Sequence, residues 1–199
     1  MMARQTSEVS EPDAAARGVL SSEAYVSLLS AASSEEEAPE ALAGQIDQLR
    51  NAFGAAKGAD RYAAMQSLWA SGPDPVKHYA AMVATARAAA GLPTNTDVGA
   101  DPWQLLGAML AGGYDNNAMT WAPKITVGSR AWGVLAVGSP RALNGMSAGN
   151  IGTFSGSDDS AEYLRSKFLV AGLAGLGRLD EAQAASAASD LDLNLGKQT

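Results

Sequence analysis

Residues 33–54 read SSEEEAPEALAGQIDQLRNAFG, and this stretch decides the fold class. Ser33 and Ser34 each stand three residues ahead of a carboxylate, Glu36 and Glu37. In that spacing the hydroxyl and the carboxylate can satisfy first-turn amides reciprocally, so a helix is expected to begin here. Leu42, Ile46, Leu49 and Phe53 then follow at steps of four, three and four, which places all four on one side of a helix of 3.6 residues per turn. The pattern is that of an amphipathic helix laid on a core.

The same grammar extends downstream. Gly54 and Gly58 loosen the helix end, Asp60 opens a stripe of Tyr62, Met65 and Trp69, and Gly72 with Pro73 closes it. Asp74–Pro75 offers an N-cap oxygen followed by a proline where a missing amide costs nothing, and Val76, Tyr79, Val83 and Ala86 are the expected buried face behind it. The Asp-Pro pair recurs at Asp101–Pro102, ahead of Trp103, Leu106 and Leu110. Short helices are expected over 115–122 and 129–137, stopped by Pro123 and by Gly138 and Pro140. From Arg141 to Ser157 the composition turns to Gly, Ser, Asn and Thr without period, which predicts one long loop, functional or mobile. Asp158 and Asp159 then supply negative charge to the start of what reads as the longest helix, 160–176, and 179–189 reads as a small alanine-rich one.

Upstream, Tyr25, Leu28, Leu29 and Ala32 predict a helix from Ser22, while 1–18 has the composition of a disordered tail. β-Branched residues never alternate over a useful length, so strands are not expected. The prediction is an all-α fold, a compact bundle or short stack of antiparallel helical hairpins, with 19–199 forming a single helical domain.

Two places resemble the tetratricopeptide repeat family. Trp103, Leu106, Gly107 and Leu110 resemble its first helix, and Gly177, Leu179, Asp180, Glu181 and Ala182, preceded by Leu169 and Leu173, resemble its turn and second-helix start. The resemblance covers these two fragments and implies helical hairpins presenting a surface for a peptide or partner protein.

Composition bounds the function. Of 199 residues, 47% are hydrophobic, and 21 acidic side chains against 14 basic ones leave a net charge of −7. Such a balance repels phosphate backbones, so no nucleic acid is expected as a partner. With no cysteine, thiolate metal sites, disulfides and thiol nucleophiles are excluded. The longest apolar run, 168–176, falls far short of the roughly 20 residues a membrane span needs. The first residues show no basic start followed by an apolar run. A cytoplasmic location is therefore expected if the chain is complete, and a periplasmic or secreted one if it is an excerpt of an exported protein. The Ala and Gly richness suits a GC-rich bacterial source.

Residues with catalytic potential are few and scattered. His78 is the single histidine, with no carboxylate at i+3 or i+4 on its helix to complete a metal site. The G-x-S-x-G spacing of Gly145, Ser147 and Gly149 follows no expected strand, so it is not read as a nucleophile elbow. Asp97, Asp101, Asp115, Asp158 and Asp159 could be paired as in a glycosidase, but each sits where a helix cap is expected. Gly145, Gly149 and Gly152 follow no strand and have no P-loop lysine. No catalytic residue, cofactor or metal is therefore assigned.

The four tryptophans fall on or beside apolar helix faces and, with Phe53, Tyr79 and Phe168, suit a core. The sharper reading takes Trp121 and Trp132, with Arg141 and Asn144 from the adjoining loop, as lining a groove for a peptide or apolar ligand. Ala171, Gly172, Ala174 and Gly175 allow another helix to approach closely, and that helix is expected within the fold. The expected function is a non-catalytic protein-interaction or scaffold domain. The alternative is a small-molecule or peptide-binding module with the 141–157 loop over a pocket.

Overall fold

The computed structural model describes Ala24, Ser27 and residues 40–70, 74–143 and 147–193. The expected tail, the helix from Ser22 and the caps at 33–37 lie outside the described residues, apart from Ala24 and Ser27, both helical. Among the described residues every regular element is helical, with nine α-helices and no strand. They gather into two compact units, one within residues 1–97 and 111–114, the other within 98–110 and 115–199.

The first unit contains α1 (Glu40–Gly54), α2 (Gly58–Trp69) and α3 (Pro75–Ala90). The opening stripe behaves as its spacing predicts at Ile46 and Leu49, both buried, while Phe53 is 41% exposed and Ala52 takes the inward position beside it. Tyr62, Met65 and Trp69 are buried as expected. Asp74 caps α3, its carboxylate accepting from the amides of Val76 and Lys77.

The buried face of α3 agrees with the prediction at Val83 and Ala86 and differs from it at Val76 and Tyr79. Val76 and Tyr79 are exposed, and Ala80, Val83, Ala84 and Ala88 face inward. Alanine is apolar yet small, so a face of alanines lets neighbouring backbones approach closely, and the larger side chains on the other face misdirect a reading by size. The Trp69 indole donates to Thr85 Oγ1 at 2.9 Å, and that hydroxyl donates to the Ala81 carbonyl at 2.8 Å. Arg61 is half-buried and donates to the carbonyls of Ala52, Ala88 and Gly91. One guanidinium thus satisfies orphan acceptors at the ends of both α1 and α3.

The second unit contains α4 (Trp103–Ala111), α5 (Asp115–Met119), a 3-10 turn (Ala122–Lys124), α6 (Arg130–Gly138), α7 (Ala148–Gly156), a second 3-10 turn (Ala161–Tyr163), α8 (Leu164–Gly175) and α9 (Glu181–Asp190). Its core joins Trp132 and Ala136 of α6, Ile151 and Phe154 of α7, Leu169, Val170 and Leu173 of α8, and Leu179, Ala187 and Leu191 around α9. Asp101 does not cap the helix that follows it; its carboxylate accepts from the amide of Ala131 at 2.7 Å, in the first turn of α6, where Ser129 caps Trp132.

Three expectations are corrected here. The 141–157 loop holds a nine-residue helix, α7, capped by Ser147 on the amide of Asn150. Burial of Ile151 and Phe154, one helical step apart, outweighs the poor helix propensity of its Gly, Ser and Thr residues. The helix expected over 160–176 begins only at Leu164, because Glu162 and Tyr163 take left-handed backbone angles, and the 16-residue α3 is longer. Phe168 is 70% exposed rather than part of a core.

α8 closes on Gly177, whose φ of +63 suits glycine. The amide of Gly177 reaches the Ala174 carbonyl at 3.0 Å and that of Arg178 reaches Leu173 at 2.8 Å, the paired bonds of a Schellman stop. The Arg178 side chain then donates to the carbonyls of Ala136, Val137 and Ser139, tying the turn after α8 to the C-terminal end of α6.

Candidate functional site

Four residues are expected at a groove, and the structure places them unequally. Trp132 lies on α6, 3% exposed, with its ring 6.3 Å from that of Phe154 at an interplanar angle of 51°. It lines a cavity of about 370 Å³ together with Met119, Pro123, Ile125, Val127 and Leu143. Trp121 is buried at 1% exposure and is not part of this lining. Arg141 is exposed and immediately precedes Ala142, which does line it. Asn144 lies outside the described residues.

The groove follows from local sequence. Pro123 sits in the 3-10 turn after α5, and the turn ends with Ile125 in extended backbone, which carries the chain to Val127 before Ser129 starts α6. On the other side, α6 stops at Ser139, whose hydroxyl donates to the Arg141 carbonyl at 2.6 Å and bends the chain toward Leu143. Every side chain lining the cavity is apolar or aromatic, and Val127 is 45% exposed at its edge.

Met119, Ile125, Val127 and Leu143 are not singled out by helical periodicity, since most of them sit between helices. A different signal marks them. From Asn116 to Ser157 the chain has Lys124, Arg130 and Arg141 and not one acidic residue, although its net charge is −7. Arg130 is engaged with Asp159 at 2.8 Å. Lys124 and Arg141 are exposed and adjoin lining residues in sequence. The groove is therefore apolar with basic neighbours.

Asp158 and Asp159 lie just ahead of the second 3-10 turn and α8. Asp158 has a fully enclosed side chain; Oδ1 accepts from the amide and hydroxyl of Ser160, at 2.9 and 2.6 Å, and Oδ2 from the amide and hydroxyl of Ser166, at 2.8 and 2.6 Å. Burial pushes its carboxyl up, but these four hydrogen bonds outweigh it and hold the group far below the usual carboxylate range. The clamp closes over Glu162 and Tyr163 and satisfies the first turn of α8. Asp159 is exposed and bonded to Arg165 at 2.6 Å; that bond, with the charge of Arg130, holds it below its ordinary value. His78 Nδ1 lies 2.7 Å from the Trp69 carbonyl. Among the described residues no three of His, Asp and Glu gather as a metal site.

No protein-family model, curated protein or solved structure matches this chain. The site therefore rests on its own geometry.

A second cavity of about 390 Å³ adjoins α7, whose Ile151, Gly152 and Ser155 form one wall, with Tyr163, Asp190 and Leu191 opposite. The segment expected as a loop over a pocket thus contributes to one as a helix. No described helix is long and apolar enough to cross a membrane.

Proposed function

We propose that this chain is a non-catalytic protein-interaction module whose groove beside Trp132 receives one or two bulky apolar side chains from an acidic segment of a partner protein. The observation that carries this reading is an apolar groove of about 370 Å³ set in a stretch of 42 residues, 116–157, without a single carboxylate. An anionic segment is favoured there by Lys124 and Arg141, while the acidic remainder of the chain repels it from other surfaces. The apolar lining supplies the anchor pocket that a hot-spot residue needs.

The test is selection of peptides displayed at random against the intact immobilised protein. Recovered sequences should place Trp, Phe or Leu among Asp and Glu, and their affinity should fall roughly tenfold or more on Val127→Asp, with the thermal melt unchanged because Val127 sits at the surface. Recovery of basic sequences, or binding indifferent to Val127→Asp and Arg141→Glu, overturns the reading.

The cavity beside α7 favours a second reading, a small-molecule module, because Ser155, Asp158, Tyr163 and Asp190 bring polar groups to a wall that also holds Ile151 and Leu191. A metabolite that raises the melting temperature, and whose effect is lost in Gly152→Leu, would favour it over the first.

A further inference from the structure

Leu164, Phe168, Ala171 and Gly175 recur along α8 at steps of four, three and four, and all four are exposed. Phe168 is 70% and Leu164 51% exposed, with Tyr163 at 54% and Leu176 at 52% at the two ends of the same helix. The opposite face of α8, with Leu169, Val170 and Leu173, is in the core. The helix is thus apolar on both sides, the pattern of one covered on both sides. Of the small residues, Gly172 is spent inside the fold, where a Cβ would meet Val137 at 3.4 Å, whereas a Cβ on Gly175 would meet nothing within 4 Å.

The outer stripe is graded in size: its first two members are large, Leu164 and Phe168, and its last two small, Ala171 and Gly175. An antiparallel copy of the same stripe sets each large residue against a small one, Phe168 on Ala171 and Leu164 on Gly175, twice over by the two-fold axis. A parallel copy would stack Phe168 on Phe168 and leave a void between the glycines. The antiparallel arrangement also opposes the helix macrodipoles favourably.

We propose that α8 is a self-association surface on which a second copy of this chain packs antiparallel through the Leu164, Phe168, Ala171 and Gly175 stripe. None of these residues lines the groove beside Trp132, so this dimer and the groove's occupant stand or fall separately. A pair of 12-residue helices makes an interface below the standard stable size of about 1,200 Å² or more, so the dimer is weak and concentration-dependent, with a dissociation constant on the order of 10–100 µM.

Sedimentation equilibrium of the full chain across that range should show monomer and dimer, and Phe168→Glu should give a monomer with an unchanged melt. Phe168→Ala should weaken the dimer about tenfold, and Ala171→Phe alone should weaken it by clash. The double variant, with large and small exchanged, should regain most of the affinity. Because the chain has no cysteine, mixing Phe168→Cys with Ala171→Cys chains should give the mixed disulfide dimer on mild oxidation. A monomer at all concentrations up to about 1 mM, a double variant no better than either single one, or a 168–168 disulfide formed in preference to the mixed one overturns the proposal.

Discussion

Asp158 shows how much one side chain can organise. Its carboxylate accepts from Ser160 and Ser166 on both sides of a turn in which Glu162 and Tyr163 have φ values of 52 and 55. Left-handed backbone at non-glycine residues costs about 1 kcal/mol each, and the clamp offsets that cost while capping α8. Asp158→Ala should destabilise the protein by about 2–3 kcal/mol, since it leaves the buried Ser166 hydroxyl without its acceptor, measured by urea denaturation. The sign of the pH dependence follows from the lowered pKa in the folded state. The carboxylate's contribution is complete above the unfolded value of about 4 and is lost progressively as the pH falls below it. Denaturation midpoints at pH 7 and pH 3 should therefore converge more in Asp158→Asn than in the unaltered protein; equal slopes would remove the clamp from the account. At this scale the capping role of Asp158 is legible, because acidic residues before an apolar run favour a helix start. That Asp101 would cap α6 instead of the helix beside it is not legible, for the amide of Ala131 comes from 30 residues further along.

At the scale of elements, α7 is the instructive case. AGNIGTFSG reads as loop by composition, yet it is helical over nine residues because Ile151 and Phe154 bury themselves against α6 and α8. The approach to α6 depends on Gly133, where a Cβ would come within 2.5 Å of the Phe154 ring. Phe154→Ala should cost about 3–4 kcal/mol and release α7 before the rest of the unit, seen as hydrogen exchange at 150–156 that is fast while α8 remains protected. Exchange that rises equally in both helices would mean α7 is not held by this contact alone. The same reasoning applies to the start of α3: Val76 and Tyr79 have the size of core residues but are exposed, while Val83, Ala86 and the neighbouring alanines are buried. Helix boundaries set by Gly and Pro are legible, and so are the inward faces of α1 and α2, where large apolar residues recur at helical spacing; the inward face at the start of α3, built of alanines, is not.

For the whole molecule, charge is unevenly distributed along the chain. Acidic residues outnumber basic ones in the chain, while the only charged residues of 116–157 are basic, and large exposed apolar residues lie on α8 at Leu164 and Phe168 and just after it at Leu176. The two proposed surfaces should answer salt in opposite ways. Raising NaCl from about 50 to 500 mM should weaken binding of an acidic peptide at the groove by roughly tenfold through screening, and leave self-association through α8 unchanged or slightly stronger. A dimer that dissociates with salt would not be the apolar one described.

The all-α class and the ends of most described helices follow from the amino-acid order alone, because capping, proline and glycine act within a few residues of their own position. That order also marked Trp132 as a candidate and, in its missing carboxylates, carried the sign of the groove's charge. The folded arrangement was needed to show that Trp121 is buried outside the groove lining, that α7 is helical, that Ile125 and Leu143 line one cavity, and that Phe168 stands outside the core. Each of these depends on which distant side chains meet, and burial among such neighbours outweighs the local preferences that periodicity and composition record.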